Sequence, residues 1–162
     1  MNPLPWDGRW HAWRLDREVY KQTWDSGIGA QRTGGRWNPP GRRVIYASAD
    51  PSTAILEVAA HLGFDALDRV PYLLTCFEVL DPALIKVVQA EDVPNPNWLV
   101  PARPSPNQQQ FAEELLAQHP FVLIPSAVNQ HSWNLLVSCD LAADRFRLVS
   151  QERFGLDTRL VK

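Results

Sequence analysis

The chain has 162 residues, of which 45% are hydrophobic and 21% charged, and its formal net charge is −2. This length and composition fit one globular domain, which we expect to span residues 1–162. The small net charge gives no general attraction to nucleic acid or to an anionic membrane, so we expect neither as a direct partner.

Cysteine use and hydropathy indicate the cellular setting. Cys76 and Cys139 lie in apolar segments without a Cys-x-x-Cys spacing, which predicts reduced thiols in the core rather than a disulfide or a zinc site. The four histidines show no paired metal-ligand spacing, so no metal is expected. No apolar run approaches the roughly 18 residues of a membrane span, and no secretion signal pattern is present. We therefore expect a cytoplasmic protein.

Periodic patterns predict most of the secondary structure. Taken in chain order, strands are expected at 11–15, 43–48, 72–80, 121–125 and 146–150. A helix is expected from Pro51 to about Leu62, with Asp50 as its N-cap and Gly63 as its stop signal. A second helix is expected at about 108–117, and the proline-rich segment 93–106 reads as a long ordered loop. Many strands with few helices favour an α+β fold with a mixed sheet.

Residues 27–41 form a glycine-rich segment that holds five of the eight glycines. Glycine permits close approach of the backbone to a ligand, Arg36 offers a fork of donors for phosphate, and Trp37 offers a flat face for a ring. The segment is neither a Walker loop nor a dinucleotide fingerprint, because Gly35-Arg36 follows Gly34 and Arg32 stands where a third glycine is needed. A nucleotide would be held differently here. The alternative is an ordinary glycine-rich turn with a surface arginine.

Arg36 in this segment and two residues after it, Tyr46 and Glu57, are candidate functional side chains. Apolar residues recur at helical spacing between 55 and 62, which places Glu57 roughly opposite the core face, exposed to water or to a cleft. Arg36, Tyr46 and Glu57 come from a loop, a strand and a helix that are consecutive in the chain, so we expect them to converge. The alternatives are a solvated glutamate and a half-buried strand aromatic.

Ser126 follows the predicted strand 121–125 and enters a turn, so we expect it to line a cleft. It lacks the Gly-x-Ser-x-Gly elbow of an esterase nucleophile. A hydrogen-bonding hydroxyl is therefore favoured over a serine that forms an acyl-enzyme.

Short motifs recur along nearly the whole chain in a fixed order. They are Trp13-Arg14-Leu15, Ser26-Gly27 with Gly29, Gly34-Gly35-Arg36-Trp37-Asn38 with Gly41, Ile45-Tyr46-Ala47-Ser48, Ala54 with Leu56-Glu57, Pro125-Ser126-Ala127-Val128, Trp133-Asn134 with Leu136, and Phe154 with Asp157 and Arg159-Leu160. Their order and intervals resemble the RES-domain toxins of bacterial RES–Xre toxin–antitoxin pairs.

The resemblance implies a single α+β domain similar to ADP-ribosyltransferases. It also implies NAD+ as the substrate, with no bound cofactor, and consumption of cellular NAD+ that arrests growth until an Xre-type antitoxin blocks the site. The residues that match the family's catalytic set are Arg36, Tyr46, Glu57 and Ser126. The residues that match its substrate-binding positions are Arg14, Gly35, Trp37, Asn38 and Asn134.

The resemblance also assigns expected roles and leaves the acceptor open. Glu57 is expected to face the ribose, Arg36 and Arg14 to clamp the pyrophosphate, Tyr46 to pack on the nicotinamide side, and Ser126 to hydrogen-bond ribose or amide. Water, inorganic phosphate or a protein side chain could accept the ADP-ribosyl group. A transferase that modifies a host protein and a non-catalytic nucleotide-binding or interaction module are the rival readings.

The chain departs from the family mainly towards its C-terminus. Ser138-Cys139 stands where the family usually has Asn-Pro, and Ala112 stands where it usually has glycine. These differences concern the C-terminal wall of the expected cleft rather than its catalytic residues.

Overall fold

The computed structural model describes residues 8–100 and 105–161. Within them, seven strands form one mixed sheet, and their bounds are β1 (Trp10–Arg17), β2 (Val44–Ser48), β3 (Tyr72–Val79), β4 (Ile85–Val87), β5 (Phe121–Pro125), β6 (Trp133–Ser138) and β7 (Phe146–Phe154). The strand order is β4-β5-β6-β2-β1-β3-β7. The β4–β5 pair is parallel and the other pairs are antiparallel. The predicted α+β fold with a mixed sheet is confirmed.

The same residues contain five α-helices and four short 3-10 helices. The α-helices are α1 (Ile28–Thr33), α2 (Pro51–Leu62), α3 (Phe64–Arg69), α4 (Pro106–Leu116) and α5 (Cys139–Ala142). The 3-10 helices are Glu18–Thr23, Pro82–Leu84, Ala90–Asp92 and Thr158–Leu160.

All five predicted strands and both predicted helices are present. β1 and β7 extend beyond their predicted ends, and β4, β6, α1, α3 and α5 were not predicted. The expected loop at 93–106 is described as far as residue 100 and again from residue 105; the part between lies outside the described residues. Both cysteines are free and buried, as expected.

The sheet opens between its fourth and fifth strands, β2 and β1. β1 pairs with β3 along its whole length, from Trp10↔Val79 to Arg17↔Tyr72. It pairs with β2 only at Trp13↔Ser48. The two strands are therefore not paired beyond this point, which leaves an opening in the hydrogen-bond ladder.

The core divides between the two faces of the sheet. On one face, Trp24 packs against Phe77 with ring centroids 5.3 Å apart, within a cluster that also contains Phe121 and Leu135. On the other face, α4 and the glycine-rich segment cover a second cluster, while α2 and α3 cover a third. Tyr46 packs against the second cluster and therefore lies on this face.

The orientation predicted for α2 is wrong in part. Leu62 is 50% exposed, whereas Thr53, Ala54 and Ala59 are buried. The small side chains of Thr53 and Ala54 form the inner side of the first turns. Glu57 lies one turn after Thr53, so it shares that inner side instead of opposing it.

The N-cap of α2 also ties this helix to the loop before β6. Asp50 accepts hydrogen bonds from the Thr53 backbone amide at 2.8 Å and from the Thr53 hydroxyl at 2.7 Å. The Ser132 hydroxyl donates to the same carboxylate. Burial alone would raise the pKa of Asp50, but the hydrogen bonds from Ser132 and Thr53 outweigh it and hold the pKa below its usual value.

We expect the Asp50 contribution to stability to be lost in acid. Its folded-state pKa lies below its unfolded value, so the contribution is complete above about pH 5 and disappears as the pH falls through the folded-state pKa, below about 4. Urea unfolding of the wild type and of Asp50→Ala should differ by about 1 kcal/mol at pH 7. This difference should shrink below about pH 4. A difference that stays constant across the acid range would contradict the prediction.

Candidate active site

A hydrogen-bonded cluster holds the Glu57 carboxylate above the ends of β5 and β6. The Ser126 hydroxyl donates to Glu57 Oε1 at 2.8 Å, and the Asn134 side-chain amide donates to the same oxygen at 2.5 Å. The Ser126 oxygen in turn accepts from the backbone amides of Val128 and Asn129, at 3.2 and 3.1 Å. Both donors bind the same carboxylate oxygen of Glu57. The other carboxylate oxygen, Oε2, has no hydrogen bond within the described residues.

Two site expectations change with this geometry. Ser126 is 0% exposed, so it does not line an open cleft but lies behind Glu57 and holds it. Asn134 is 9% exposed, and its amide nitrogen is committed to Glu57 rather than free for a substrate. Both residues are placed to orient the carboxylate.

The segment that carries Arg36 rests on Tyr46 and Asn38. The Gly35 amide donates to the Asn38 carbonyl at 2.9 Å, and the Trp37 amide donates to the Tyr46 hydroxyl at 3.2 Å. The Tyr46 hydroxyl donates to Asn38 Oδ1 at 2.5 Å. Burial raises the pKa of the Tyr46 phenol above its usual value, so this phenol stays protonated and acts as a donor.

Trp37 and Asn38, both expected to meet a ligand, lie beneath this segment. Trp37 is 2% exposed and packs against Trp98 with centroids 5.8 Å apart, so its ring offers no free face. Asn38 is fully buried, and its amide nitrogen donates to the carbonyls of Ala30 and Pro39. Both side chains support the backbone that carries Arg36, and their predicted contact with the substrate stays a prediction.

Gly35 is required by the close approach of Tyr46. A Cβ at this position would lie 2.7 Å from the Tyr46 hydroxyl oxygen and 3.3 Å from Asn38 Oδ1. We expect Gly35→Ala to reduce the free energy of unfolding by about 1–3 kcal/mol, because the phenol or the loop must move. Gly29→Ala is the matched control, since a Cβ there meets nothing within 4 Å in α1. Equal unfolding free energies for the two variants would contradict the prediction.

Helix α4 supplies contacts that the sequence analysis missed. Gln109 donates to the carbonyls of Gly35 and Asn38, at 2.8 and 3.2 Å. Gln108 is buried and donates to the Arg36 carbonyl at 3.4 Å. The run of glutamines in the first turns of α4 was the available signal, because one of them lies inside an otherwise apolar helix face.

Among the described residues, the Arg36 guanidinium has a backbone partner and no acidic one. Its Nη1 donates to the Trp98 carbonyl at 2.6 Å. None of the ion pairs within the described residues involves Arg36. The half-buried guanidinium therefore has further donors without a hydrogen-bond partner in the described part of the chain.

Arg14 lies at the opening between β1 and β2. Its Nη1 donates to the Tyr46 carbonyl at 3.0 Å and its Nη2 pairs with Asp16 at 2.9 Å. Side chains alternate along a strand, and Trp13 pairs with Ser48, so the Arg14 side chain leaves β1 on the other face from Ser48. Arg14 bridges the separating strands, and its predicted role in substrate binding remains a prediction.

The two groups of residues lie side by side on one face of the sheet. Tyr46 pairs with Leu136 and Ser48 pairs with Asn134 across β2 and β6. Tyr46 and Ser48 are two residues apart, so the Tyr46 group and the Glu57 group are separated by about 7 Å along the strand. Arg36, Tyr46, Glu57 and Ser126 thus converge on one region, although no hydrogen bond joins Tyr46 to Glu57 in the described residues.

Within residues 8–100 and 105–161, no group of three or more His, Cys, Asp or Glu side chains could hold a metal ion. In the same ranges, no helix is long and apolar enough to cross a membrane.

The comparison with protein families identifies the family. The family described as RES domain matches residues 3–157, nearly the whole chain. The chain belongs to the RES-domain family. The resemblance noted in the sequence is thereby confirmed.

RES-domain relatives include named toxins. The chain is 30% identical over 158 residues to Toxin Res of Photorhabdus laumondii, covering 93% of this chain and 96% of the relative. It is 32% identical over 138 residues to Toxin Res of Pseudomonas putida, covering 83% and 91%. A shorter match, 39% identical over 74 residues, is to a Prs ADP-ribosylating toxin of Sphingobium sp., covering 44% and 45%.

A solved structure has the same fold. A chain of the crystal structure of the M. tuberculosis MbcT–MbcA toxin–antitoxin complex aligns with a TM-score of 0.70, covering 91% of this chain and 85% of that one. The sequence identity is 20%, so this likeness supports the fold alone.

Proposed function

We propose that this RES-domain protein is a toxin that consumes NAD+ by cleaving the nicotinamide–ribose bond. The observation that carries the proposal is the Glu57 carboxylate, with one oxygen held by Ser126 and Asn134 and the other without a hydrogen bond in the described residues. Membership of a family whose relatives are named toxins, one of them ADP-ribosylating, supports it.

The chemistry needs a fixed negative charge and little else. Nicotinamide leaves as a neutral ring from a cationic starting state, so no general acid is required for its departure. The ribosyl group left behind resembles an oxocarbenium ion, which a pre-oriented carboxylate stabilises. In the proposed mechanism, Glu57 faces the ribose with its free oxygen while Ser126 and Asn134 prevent it from turning away.

Arg36 would bind the pyrophosphate. Its guanidinium lacks an acidic partner among the described residues, and a planar fork of donors matches phosphate oxygens. Gly35 precedes it and leaves room for the Tyr46 hydroxyl, which supports the loop that carries the guanidinium. Tyr46 would act indirectly, because its hydroxyl is committed to the loop that carries Arg36.

A time course of NAD+ with the purified protein tests the proposal. We expect loss of NAD+ and release of nicotinamide, followed by NMR or chromatography, in buffers with and without inorganic phosphate. ADP-ribose as the product would identify water as the acceptor, and ADP-ribose 1″-phosphate would identify phosphate. Unaltered NAD+ in both buffers, with folded protein, would favour a non-catalytic nucleotide-binding module.

The similarity to a Prs ADP-ribosylating toxin favours a second candidate, transfer of ADP-ribose to a protein. The same carboxylate and the same cationic centre would serve that reaction. Incubation of the protein with labelled NAD+ and a cell extract separates the two. A discrete labelled protein would support transfer, whereas label found only in small molecules would support NAD+ degradation.

We also propose that an Xre-type antitoxin binds this toxin in the cytoplasm and covers the site. The net charge of −2 agrees with a complex in which the partner makes any contact with DNA. Expression of the chain alone should arrest growth and deplete NAD+, and co-expression with the neighbouring gene should restore both. Equal growth and normal NAD+ in both cultures, with the protein present, would contradict the toxin proposal.

A further inference from the structure

Ser48 contacts the Glu57 cluster from behind and belongs to none of the sites discussed above. It ends β2, is 2% exposed, and lies directly opposite Asn134 on β6. Its hydroxyl donates to Asn134 Oδ1 at 2.9 Å, and the Asn134 amide nitrogen donates to Glu57 Oε1. The three side chains therefore form a line from the strand to the carboxylate.

The direction of this line follows from donor and acceptor chemistry. A carboxylate only accepts hydrogen bonds, so Asn134 must present its amide nitrogen to Glu57. The Asn134 oxygen then faces away, in a buried position, and needs a donor. The Ser48 hydroxyl is that donor. Without it, the buried oxygen is left unpaired and the amide gains by turning or moving away from Glu57.

Ser48 is also held firmly by the backbone. It pairs with Asn134 across β6 and with Trp13 across β1, at the single pair that joins β1 to β2. Its position is thus fixed on both sides, immediately beside the opening of the sheet. A group on a central strand fixes a neighbouring side chain more precisely than a group on a loop.

We propose that Ser48 is a positioning residue for the reaction, acting on Glu57 through Asn134. The proposal rests on the proposed function, in which the free oxygen of Glu57 must face the ribose. Ser48 would not touch NAD+. It would keep Asn134, and hence Glu57, in the orientation that the transition state requires.

Ser48→Ala is expected to lower kcat for NAD+ loss by roughly 2- to 10-fold, the effect of one net hydrogen bond, with KM nearly unchanged. Asn134→Ala should lower kcat further. The double variant should be no slower than Asn134→Ala, because Ser48 acts only through Asn134. Ser48→Cys keeps the shape with a weaker donor and should fall between the wild type and Ser48→Ala.

Ser138→Ala is the matched control. Ser138 is also a fully buried serine of the β2–β6 pair, opposite Val44 at its other end, and its hydroxyl has no partner in the described residues. Its loss should leave kcat and KM unchanged. This comparison separates the effect of the Ser48 hydrogen bond from that of removing any buried hydroxyl.

The outcomes distinguish this proposal from the proposed function. A wild-type protein that leaves NAD+ intact would refute the function; in that case the Asn134 side-chain amide resonances in NMR still test the contact, and they should shift in Ser48→Ala but not in Ser138→Ala. Unshifted amide resonances would overturn the role of Ser48. With an active wild type, it would be overturned by an unchanged kcat in Ser48→Ala or by losses that multiply in the double variant.

Discussion

Glu57→Gln is expected to lower the rate of NAD+ loss by at least about 100-fold and to abolish growth arrest, while the protein stays folded. Glutamine keeps an oxygen that can accept from Ser126 and Asn134, the two donors that hold the carboxylate. It replaces the other, charged oxygen by an amide group, so the negative charge opposite the ribosyl cation is lost. Steady-state NAD+ consumption and growth after induction measure the two effects.

Glu114→Gln provides the control for this change. Glu114 is an exposed residue of α4 whose carboxylate accepts a hydrogen bond from Gln110, so the same substitution there should leave NAD+ consumption unchanged. Thermal unfolding of both variants should follow that of the wild type within a few degrees. Near wild-type activity in Glu57→Gln would remove Glu57 from the catalytic role, and a collapsed thermal transition would show that the residue is structural.

Capping residues in the sequence were sufficient to predict the helix whose ends they mark. The helix α2 begins after Asp50, whose side chain accepts from the Thr53 amide, and ends before Gly63, which has φ 84°. The strand β6 was missed for the opposite reason. Its buried residues include the polar Asn134 and Ser138, so its apolar run is only three residues long, 135–137, and gives no clear strand pattern. The strand β4 has three residues and gains its partner β5 only in the tertiary structure.

The candidate site could be named from the sequence but not assembled from it. Ser126 and Asn134 lie 69 and 77 residues from Glu57 along the chain, so no local pattern reports their contacts. The orientation of Glu57 was misjudged because the apolar spacing of α2 gave weight to Leu62, which is half exposed, and none to Thr53, which is buried. Small and polar residues can form the inner side of a helix, and hydropathy does not reveal them.

The contacts that hold the loop of Arg36 could not be predicted from the sequence either. The phenol of Tyr46, the amide of Asn38 and the glutamines of α4 all hold the backbone of the loop by hydrogen bonds across the fold. Trp37 was predicted to meet a ligand because its ring offers a flat face, and Asn38 because it matches a substrate-binding position of the family. Residues that flank a binding residue often support it from below, and burial separates the two roles.

Arg36→Lys is expected to raise KM for NAD+ by roughly 10- to 100-fold, although the charge is conserved. The guanidinium already donates one hydrogen bond to the Trp98 carbonyl at 2.6 Å. Its remaining donors can still grip phosphate oxygens in the fixed plane of the fork, whereas a lysine ammonium at this position must divide one compact group between both partners. The loss of one charge-assisted contact is worth about 1.5–3 kcal/mol, which sets the expected range.

The kinetic pattern of Arg36→Lys locates the pyrophosphate clamp. A clamp that binds the ground state and the transition state alike should raise KM and leave kcat within a few-fold of the wild type. Arg69→Lys is the control, because Arg69 forms an exposed ion pair with Asp65 within α3 and should tolerate the change. If Arg36→Lys leaves both constants unchanged, the clamp lies elsewhere. Arg14 would then be the next candidate, since its guanidinium lies at the opening between β1 and β2 and would have to exchange Asp16 for phosphate.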